Sequence, residues 1–571
     1  AMSAKGATTA APKAAAPTRI KARKESAEKS VTCRVLPPGV LTARRIERSI
    51  LYAEYGYYVF FIVMFPTLLW RYGETLRYDM GFGSGDPICD ELTQWILEGG
   101  GSIDGSRCVF TPEGGGRGIV ASSRLAYRQT YSVVPLTMCM YEQTVKEHSL
   151  IATPVLINDP VVQKTAGHPW GPNSTGDPWR LILAMDYERQ RGEESFWSAY
   201  INSMPTKPTS PLWWNNSQFD ELHSPRVKHE AIKLRDSVKE AYNTFYPHLT
   251  EAHPELYAGM NMTFDSFLWA TLQVWGRAFD ASAQDPDHPD RRTWMMVPFI
   301  DLVNHQSFVG SYYGDEEATI EGPNGTEAAF SCWATECFTP GAEIFQSYGS
   351  HKSSAHYLYY YGFIPMGFEQ SDFITFKLPP ALENRLAKNS WQMGYAGADG
   401  RITEGFLHQF VRAIVIQEKH DLEEISFDPT KKQVVVLTAE VDANEAAWRV
   451  VLEFLLDNVE NALAMLPTSL DEDEAALEAA LEALDFQYDR WVQLTVRVRF
   501  KRILNSVRSN LKFRLASDVN SEDSWETAQQ EWSIVYETDT VNQRRSKALQ
   551  SETLYEIQLN PDIEAMASRI A

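Results

Sequence analysis

The stretch VPFIDLVNHQ, residues 297–306, decides the fold, and its polar residues include Asp301, Asn304 and His305. A single histidine after an apolar strand is usually structural or a candidate metal ligand. A metal site needs further ligands, and none follows His305 at the next two to four positions. The six cysteines are scattered without CxxC spacing. We therefore expect reduced thiols and no metal site.

A glycine turn lies well upstream, in EGGGRGIVASSRLAYRQTYSVVPLTMCM, residues 113–140. Its residues are Gly116, Arg117 and Gly118, and glycines let a backbone approach a ligand closely. The spacing Gly116-x-Gly118-x-x-Ala121 also matches a dinucleotide-binding fingerprint, which requires a long amphipathic helix after the turn. The residues that follow Ala121 lack a 3.6-residue period and soon reach a proline. This disfavours the dinucleotide-binding alternative.

Two further segments complete the pattern. The first, WATLQVWGRAF at 269–279, ends a predicted helix over 264–279 that has Thr263 as its N-cap and carries Arg277. Taken alone, Arg277 would be a surface arginine on a core helix. The second, GAEIFQSYGSHKSSAHYLYYYGFIP at 341–365, contains tyrosines that could equally be core aromatics.

In order and spacing, these four segments resemble SET domains of the Rubisco large-subunit methyltransferase type. The resemblance implies S-adenosylmethionine as the cofactor and no metal. It assigns Tyr348 and Tyr361 as catalytic tyrosines and places Arg277 beside the substrate cleft. The residues that it assigns to cofactor binding are Gly116, Arg117, Gly118, Asn304, His305 and Ser354.

The implied reaction is methyl transfer to a protein lysine, with histidine as the alternative acceptor. Tyrosine hydroxyls can orient a nitrogen nucleophile without competing with it, and positioning dominates such an in-line displacement. Two residues depart from the pattern, because Ser354 replaces a usual asparagine and His356 a usual acidic residue. The alternative function, motivated by the membrane-like segment at 50–70 and the basic N-terminal extension, is a catalytically inactive SET-fold subunit with a structural role in an organellar membrane complex.

The last third resembles the helical substrate-binding domain of the same family, in LAMLPTSLDEDEAAL at 463–477 and VQLTVRVRFKRIL at 492–504. Ser469 and Glu472 form a capping-box pattern. The predicted fold class is α+β, a SET domain with short β-sheets and a pseudoknot followed by an all-α domain. Residues 177–201 are predicted as one helix within the SET domain. The predicted boundaries are 85–367 for the SET domain, about 140–265 for its helical insert, 368–515 for the substrate-binding domain, and 516–571 for an extended arm on a partner.

Both ends of the pattern leave sequence unexplained. Residues 1–49 are a basic, Ala/Pro-rich extension with a local charge of +8, and residues 50–70, ILYAEYGYYVFFIVMFPTLLW, are predicted to span a membrane. The alternative is a buried or interfacial helix kinked at Pro66. Arg44, Arg45 and Arg48 flank this segment on its N-terminal side, which would place the large domain on the opposite side of the membrane. A mitochondrial membrane is favoured, with plastid and cytosol as alternatives.

The net charge of −22 argues against nucleic acid as a partner. The expected partners are a protein substrate or a membrane protein complex. Four Asn-x-Ser/Thr sequons occur without a signal-peptide pattern, and the expectation is that they are chance matches. They begin at Asn173, Asn215, Asn261 and Asn324.

Overall fold

The computed structural model describes residues 85–111, 116–165, 178–282, 292–306, 312–322, 325–334, 336–349, 352–365, 371–378, 393–421, 427–428, 433–434, 444–483, 485–516 and 552–570. All of them belong to one compact unit, Trp70–Ala571. Within these ranges no helix is both long enough and apolar enough to cross a membrane. The basic extension and the predicted span at 50–70 lie outside the described residues.

Short strands build the first half of this unit. They form one sheet in the order β1-β4-β9-β8, a second in the order β2-β3-β10-β7, and a β5-β6 hairpin. The strands are β1 (Ser102–Ile103), β2 (Ser106–Thr111), β3 (Gly116–Ala121), β4 (Thr130–Pro135), β5 (Phe279–Ser282), β6 (Arg292–Met295), β7 (Asn304–His305), β8 (Tyr312–Gly322), β9 (Gly325–Trp333) and β10 (Glu343–Gln346).

The second sheet joins three of the four segments that the sequence singled out. β10 runs antiparallel to β3, with Ile344 opposite Ile119. On its other side β10 runs parallel to β7, with Phe345 opposite Asn304. The glycine turn, the Asn304-His305 pair and the strand before Tyr348 therefore lie side by side in a SET-like α+β fold.

Helices fill the chain between these strands. They are α1 (Pro87–Glu98), α2 (Glu142–His148), α3 (Pro160–Thr165), α4 (Trp179–Arg191), α5 (Ser198–Ser203), α6 (Asn216–Asp220), α7 (Pro225–Ala252), α8 (Pro254–Tyr257), α9 (Phe264–Arg277) and α10 (Ser354–His356). The expected Thr263 cap is confirmed, since its side chain accepts from the Ser266 amide. The single helix predicted over 177–201 is wrong. The chain breaks at Gly192, whose φ of +56° lies in the left-handed region that helices do not use.

The last third combines helices with strands. Its elements are β11 (Ile374–Lys377), β12 (Met393–Ala396), α11 (Glu404–Asp421), β13 (Phe427–Asp428), β14 (Gln433–Val434), α12 (Glu445–Met465), α13 (Leu470–Glu482), α14 (Tyr488–Ala516), β15 (Tyr555–Gln558) and α15 (Ile563–Ser568). The Ser469 capping box is present at the start of α13. The all-α prediction needs correction, because β12, β11 and β15 form a three-stranded sheet beside the helices.

The C-terminal arm was predicted to be extended and packed on a partner. The described part of it, residues 552–570, packs on its own chain instead. β15 runs parallel to β11, with Ile374 opposite Tyr555. Leu554, Ile557 and Ile563 are buried in the core of the C-terminal part. Burial of these apolar side chains supplies the driving force for docking.

The expectation of reduced thiols is also wrong for Cys89, Cys108 and Cys337, which are disulfide-bonded. Cys89 of α1 and Cys108 of β2 form a disulfide, with Cα atoms 5.4 Å apart. Cys139 and Cys332 are free and buried. No local pattern predicts the pair Cys89 and Cys108, because the two cysteines are 19 residues apart and meet only when α1 packs on β2.

Candidate active site

The candidate site is centred on β10, which lies between the glycine turn of β3 and the Asn304-His305 pair of β7. Asn304 Nδ2 donates a hydrogen bond of 2.8 Å to Glu343 Oε1, so its side chain ties β7 to β10 as the resemblance implied. A Cβ added at Gly118 would lie 2.8 Å from each of these two atoms. A larger residue at this position would therefore displace the Asn304–Glu343 hydrogen bond. Gly116 has open space around the same position.

His305 supports the loop that follows β10. Its Nδ1 accepts a hydrogen bond of 3.0 Å from the backbone amide of Tyr348. Its ring packs 5.1 Å from the Tyr348 ring and 4.8 Å from the Tyr357 ring, centroid to centroid. Burial lowers the pKa of His305 to about 4. The imidazole is therefore neutral at physiological pH.

The two tyrosines that the resemblance assigned to catalysis lie together. Their rings stack with centroids 5.0 Å apart. The Tyr348 hydroxyl donates a hydrogen bond of 2.8 Å to the backbone carbonyl of Val303. Burial raises the pKa of Tyr348 well above its ordinary value, so its hydroxyl stays protonated. The site thus holds neutral hydroxyls and a neutral imidazole.

Lys352 joins this pair and was missed by the sequence reasoning. Its Nζ donates to the backbone carbonyl of Tyr348 and, at 2.5 Å, to the Tyr361 hydroxyl. Burial lowers the pKa of Lys352 from 10.5 to about 8. The only signal for it was its place in the K-S-S-A motif, which says nothing of where the amine points.

Arg277 is linked to the site through its contacts with Asp301. Its Nη1 lies 3.1 Å from the Asp301 carbonyl oxygen and 3.5 Å from Asp301 Oδ2. The Tyr200 hydroxyl donates to the same Oδ2 at 2.7 Å. The positive charge of Arg277 lowers the pKa of Tyr348 and so opposes part of the rise caused by burial. Arg277 is therefore part of the same cluster, and Asp301 is a buried carboxylate engaged by two neighbours.

Two residues assigned to cofactor binding make other contacts. Arg117 Nε pairs with Asp86 at 2.8 Å, and Arg117 Nη1 donates to the Ser203 carbonyl at 3.0 Å. The Ser354 hydroxyl donates to Asp372 at 2.8 Å and also contacts Arg499. Their side chains serve these links, which no local pattern in the sequence predicts.

The part of the chain that the structure describes contains no cluster of three or more His, Cys, Asp or Glu side chains suited to a metal ion. The site is built from tyrosines, glycines, an amide and a buried ion pair. Such groups can position and orient a bound molecule.

The architecture is that of a SET fold with a helical substrate-binding domain. Residues 381–504 match the family model described as Rubisco LSMT substrate-binding. The chain aligns with the solved SET domain of LSMT bound to lysine and AdoHcy, with a TM-score of 0.57, 19% identity, 75% of this chain and 91% of that chain. It aligns equally well, at TM-score 0.57 and 19% identity, with Rubisco LSMT bound to sinefungin and monomethyllysine, covering 76% and 93%. The predicted SET resemblance is confirmed as a fold.

Two sequence relatives are N-methyltransferases that act on protein side chains. The chain is 25% identical over 311 residues to the actin-histidine N-methyltransferase of Xenopus tropicalis, covering 53% of this chain and 48% of that protein. It is 22% identical over 348 residues to the chloroplastic [fructose-bisphosphate aldolase]-lysine N-methyltransferase of Arabidopsis thaliana, covering 59% and 69%. The chain spans about half the length of the actin-histidine relatives that it matches.

Proposed function

We propose that this protein transfers a methyl group from S-adenosylmethionine to a lysine or histidine side chain of another protein. The observation that carries the proposal is the stacked pair Tyr348 and Tyr361, of which Tyr348 follows the end of β10, the strand paired with β7. The relatives that methylate histidine and lysine support both acceptor types.

The residues present fit the cofactor. Gly116 and Gly118 place no side chain over the β3 backbone, and Asn304 and His305 lie on β7, on the other side of β10. These backbone groups and the β7 pair would hold S-adenosylmethionine. When bound, it supplies a methyl group activated by a sulfonium charge. The chain must hold this group in line with an acceptor nitrogen and keep other nucleophiles away.

The neutral tyrosines suit that task. The acceptor nitrogen attacks with its lone pair, so it must arrive without a proton or lose one on the way. Asp301 is the carboxylate whose charge acts most strongly on Tyr348. It already pairs with Arg277 and accepts a hydrogen bond from the Tyr200 hydroxyl. Burial raises the pKa of Asp301, but its side chain is wholly buried behind these contacts. We therefore infer that the proton leaves to water. The tyrosine hydroxyls then orient the nitrogen, and their ring faces tolerate the cationic methylated product.

The first test is cofactor binding and turnover in the full chain. Calorimetry should detect S-adenosylhomocysteine, and tritium transfer should be measured with actin and with fructose-bisphosphate aldolase as probes. Tyr348→Phe keeps the ring and removes the hydroxyl. It should retain binding and lower turnover by about 10²-fold, since a misplaced acceptor loses this much. A folded wild type that binds no cofactor would refute the enzyme reading.

The dependence of the rate on pH separates the two acceptor types. A lysine acceptor has an ordinary pKa near 10.4 and must be deprotonated, so kcat/KM should rise through pH 7 to 9. A histidine acceptor, with an ordinary pKa near 6.5, is already neutral and should show a flat profile there. A rate that falls over this range would contradict both.

We also propose that residues 50–70 anchor the protein in a membrane. Their length, their terminal aromatic residues and the arginines on one flank support this. The mitochondrial assignment stays a prediction. If the folded protein binds no cofactor, the anchored SET fold is better explained as a structural subunit of a membrane complex. Carbonate extraction of the full chain against a variant that lacks 50–70 tests the anchor.

A further inference from the structure

The disulfide that the sequence did not predict bears on the compartment of the protein. Cys89 and Cys108 are each 1% exposed, and their Cα separation of 5.4 Å is typical of a natural disulfide. The bond fixes α1 against β2, next to the glycine turn on β3. Structural disulfides form and persist in oxidising compartments and are rare where thiols are kept reduced.

One of the sequons lies where a glycan could be attached. Asn261-Met262-Thr263 occupies the loop between α8 and α9, and both Asn261 and Thr263 are exposed. Gln190 holds this loop through the backbone of Asn261, with its side chain bonded at 3.2 Å to both the amide and the carbonyl. The loop is thus fixed by main-chain contacts while the Asn261 side chain faces solvent.

We propose that the SET domain lies in the lumen of the secretory pathway and carries an N-linked glycan on Asn261. The disulfide and the exposed sequon are separate observations that point to the same compartment. The predicted span agrees, because its arginine flank would keep the N-terminus in the cytosol and place the large domain across the membrane. This inference differs from the mitochondrial assignment and from the expectation that all four sequons are chance matches, and the glycosylation test decides between them.

The sequon at Asn215 serves as an internal comparison. Asn215 is also exposed, but its side-chain oxygen caps α6 by accepting from the Gln218 amide at 3.0 Å. Gln218 in turn accepts from the Asn215 amide at 3.1 Å. Because the side-chain oxygen and the backbone amide of Asn215 are both held in a capping box, we assign the glycan to the less constrained Asn261.

The test expresses the full chain in a eukaryotic cell line and treats it with an N-glycosidase. The wild type should lose mass on treatment. Asn261→Gln should lack the mass of one glycan, since it keeps the backbone contacts to Gln190. Thr263→Ser is the matched control, because it retains both the sequon and the hydroxyl that caps α9, and it should keep the glycan.

Two results would overturn the proposal. The first is a wild type whose mass the glycosidase does not change, as a domain in the cytosol or in a mitochondrial compartment would show. The second is a glycan that survives Asn261→Gln and disappears with Asn215→Gln. Peptide mapping without reductant should also recover Cys89 linked to Cys108, and free thiols at both positions would remove the disulfide as support.

The proposed location also narrows the class of possible substrates. This step rests on the proposed function. A lumenal enzyme would methylate proteins of the secretory pathway. The glycosylation test needs no methyl transfer, so its failure and the failure of the proposed activity can be told apart.

Discussion

Replacing Arg499 by methionine should strongly destabilise the protein. The guanidinium of Arg499 lies 3.1 Å from Asp372 Oδ2 and donates at 2.6 Å to the carbonyl of Pro365. It also contacts the Ser354 hydroxyl. The Asp372 side chain is wholly buried and the Arg499 side chain is 6% exposed. This pair ties α14 to the chain that follows the site tyrosines.

The magnitude follows from what remains after the substitution. Asp372 keeps the amide and hydroxyl of Ser354, at 2.7 and 2.8 Å, but loses its only opposite charge among the described contacts. Removing one partner of a buried pair costs about 3–5 kcal/mol, because an uncompensated charge stays buried. Arg502→Met is the matched control on the same helix. Arg502 pairs with Glu474 at the surface, with 45% and 39% exposure, and such pairs contribute about 0–1 kcal/mol.

Urea denaturation of the wild type and the two variants measures this difference. Burial raises the pKa of Asp372 and Arg499 opposes that rise, so Arg499→Met should raise it further. A carboxyl group with a raised pKa destabilises the fold at higher pH, and protonation relieves the deficit as pH falls. The deficit of Arg499→Met should therefore shrink between pH 7 and pH 5. Equal losses for Arg499→Met and Arg502→Met would refute the reasoning.

Two further substitutions test the site loop. Gly362→Ala should lower the melting temperature far more than Gly341→Ala; both have positive φ, +78° and +83°, but a Cβ at Gly362 would lie 1.7 Å from the Thr209 carbonyl while none crowds Gly341. Lys352→Met should remove a rise in unfolding free energy between about pH 8 and 10.5, because over this range the unfolded wild-type chain keeps a proton that folded Lys352 releases. An unchanged pH slope in Lys352→Met would contradict the buried-amine assignment.

Features set by neighbouring residues could be predicted from the sequence. The Thr263 cap and the Ser469 capping box depend on bonds across three residues, and both are present. The motif around Asn304 could be recognised in the sequence, and its side chain donates to Glu343 of β10, the strand paired with β7. Local bonding and motif spacing together were enough for the SET fold.

Features set by distant contacts could not be predicted. Ser354 meets Arg499 across 145 residues of sequence, and Lys352 turns its amine onto Tyr361 only because burial closes the loop around it. Likewise, the short apolar segment around Ile557 forms a strand only by pairing with the edge of β11. In each case the partner is specified by tertiary packing and leaves no periodic trace.

The departure at Ser354 therefore has a different meaning from the one that the sequence suggested. A serine in place of asparagine looked like a lost contact to the cofactor. In the structure the serine hydroxyl lies between Asp372 and Arg499, and the following residue but one, His356, pairs with Glu552 at 2.8 Å. The loop that carries Lys352 is thus held by α14 on one side and by the C-terminal segment on the other. Both supports come from outside the SET domain, so changes in the helical domain should alter the positions of the site tyrosines. We interpret Ser354 as part of that link rather than as a sign of a degraded site.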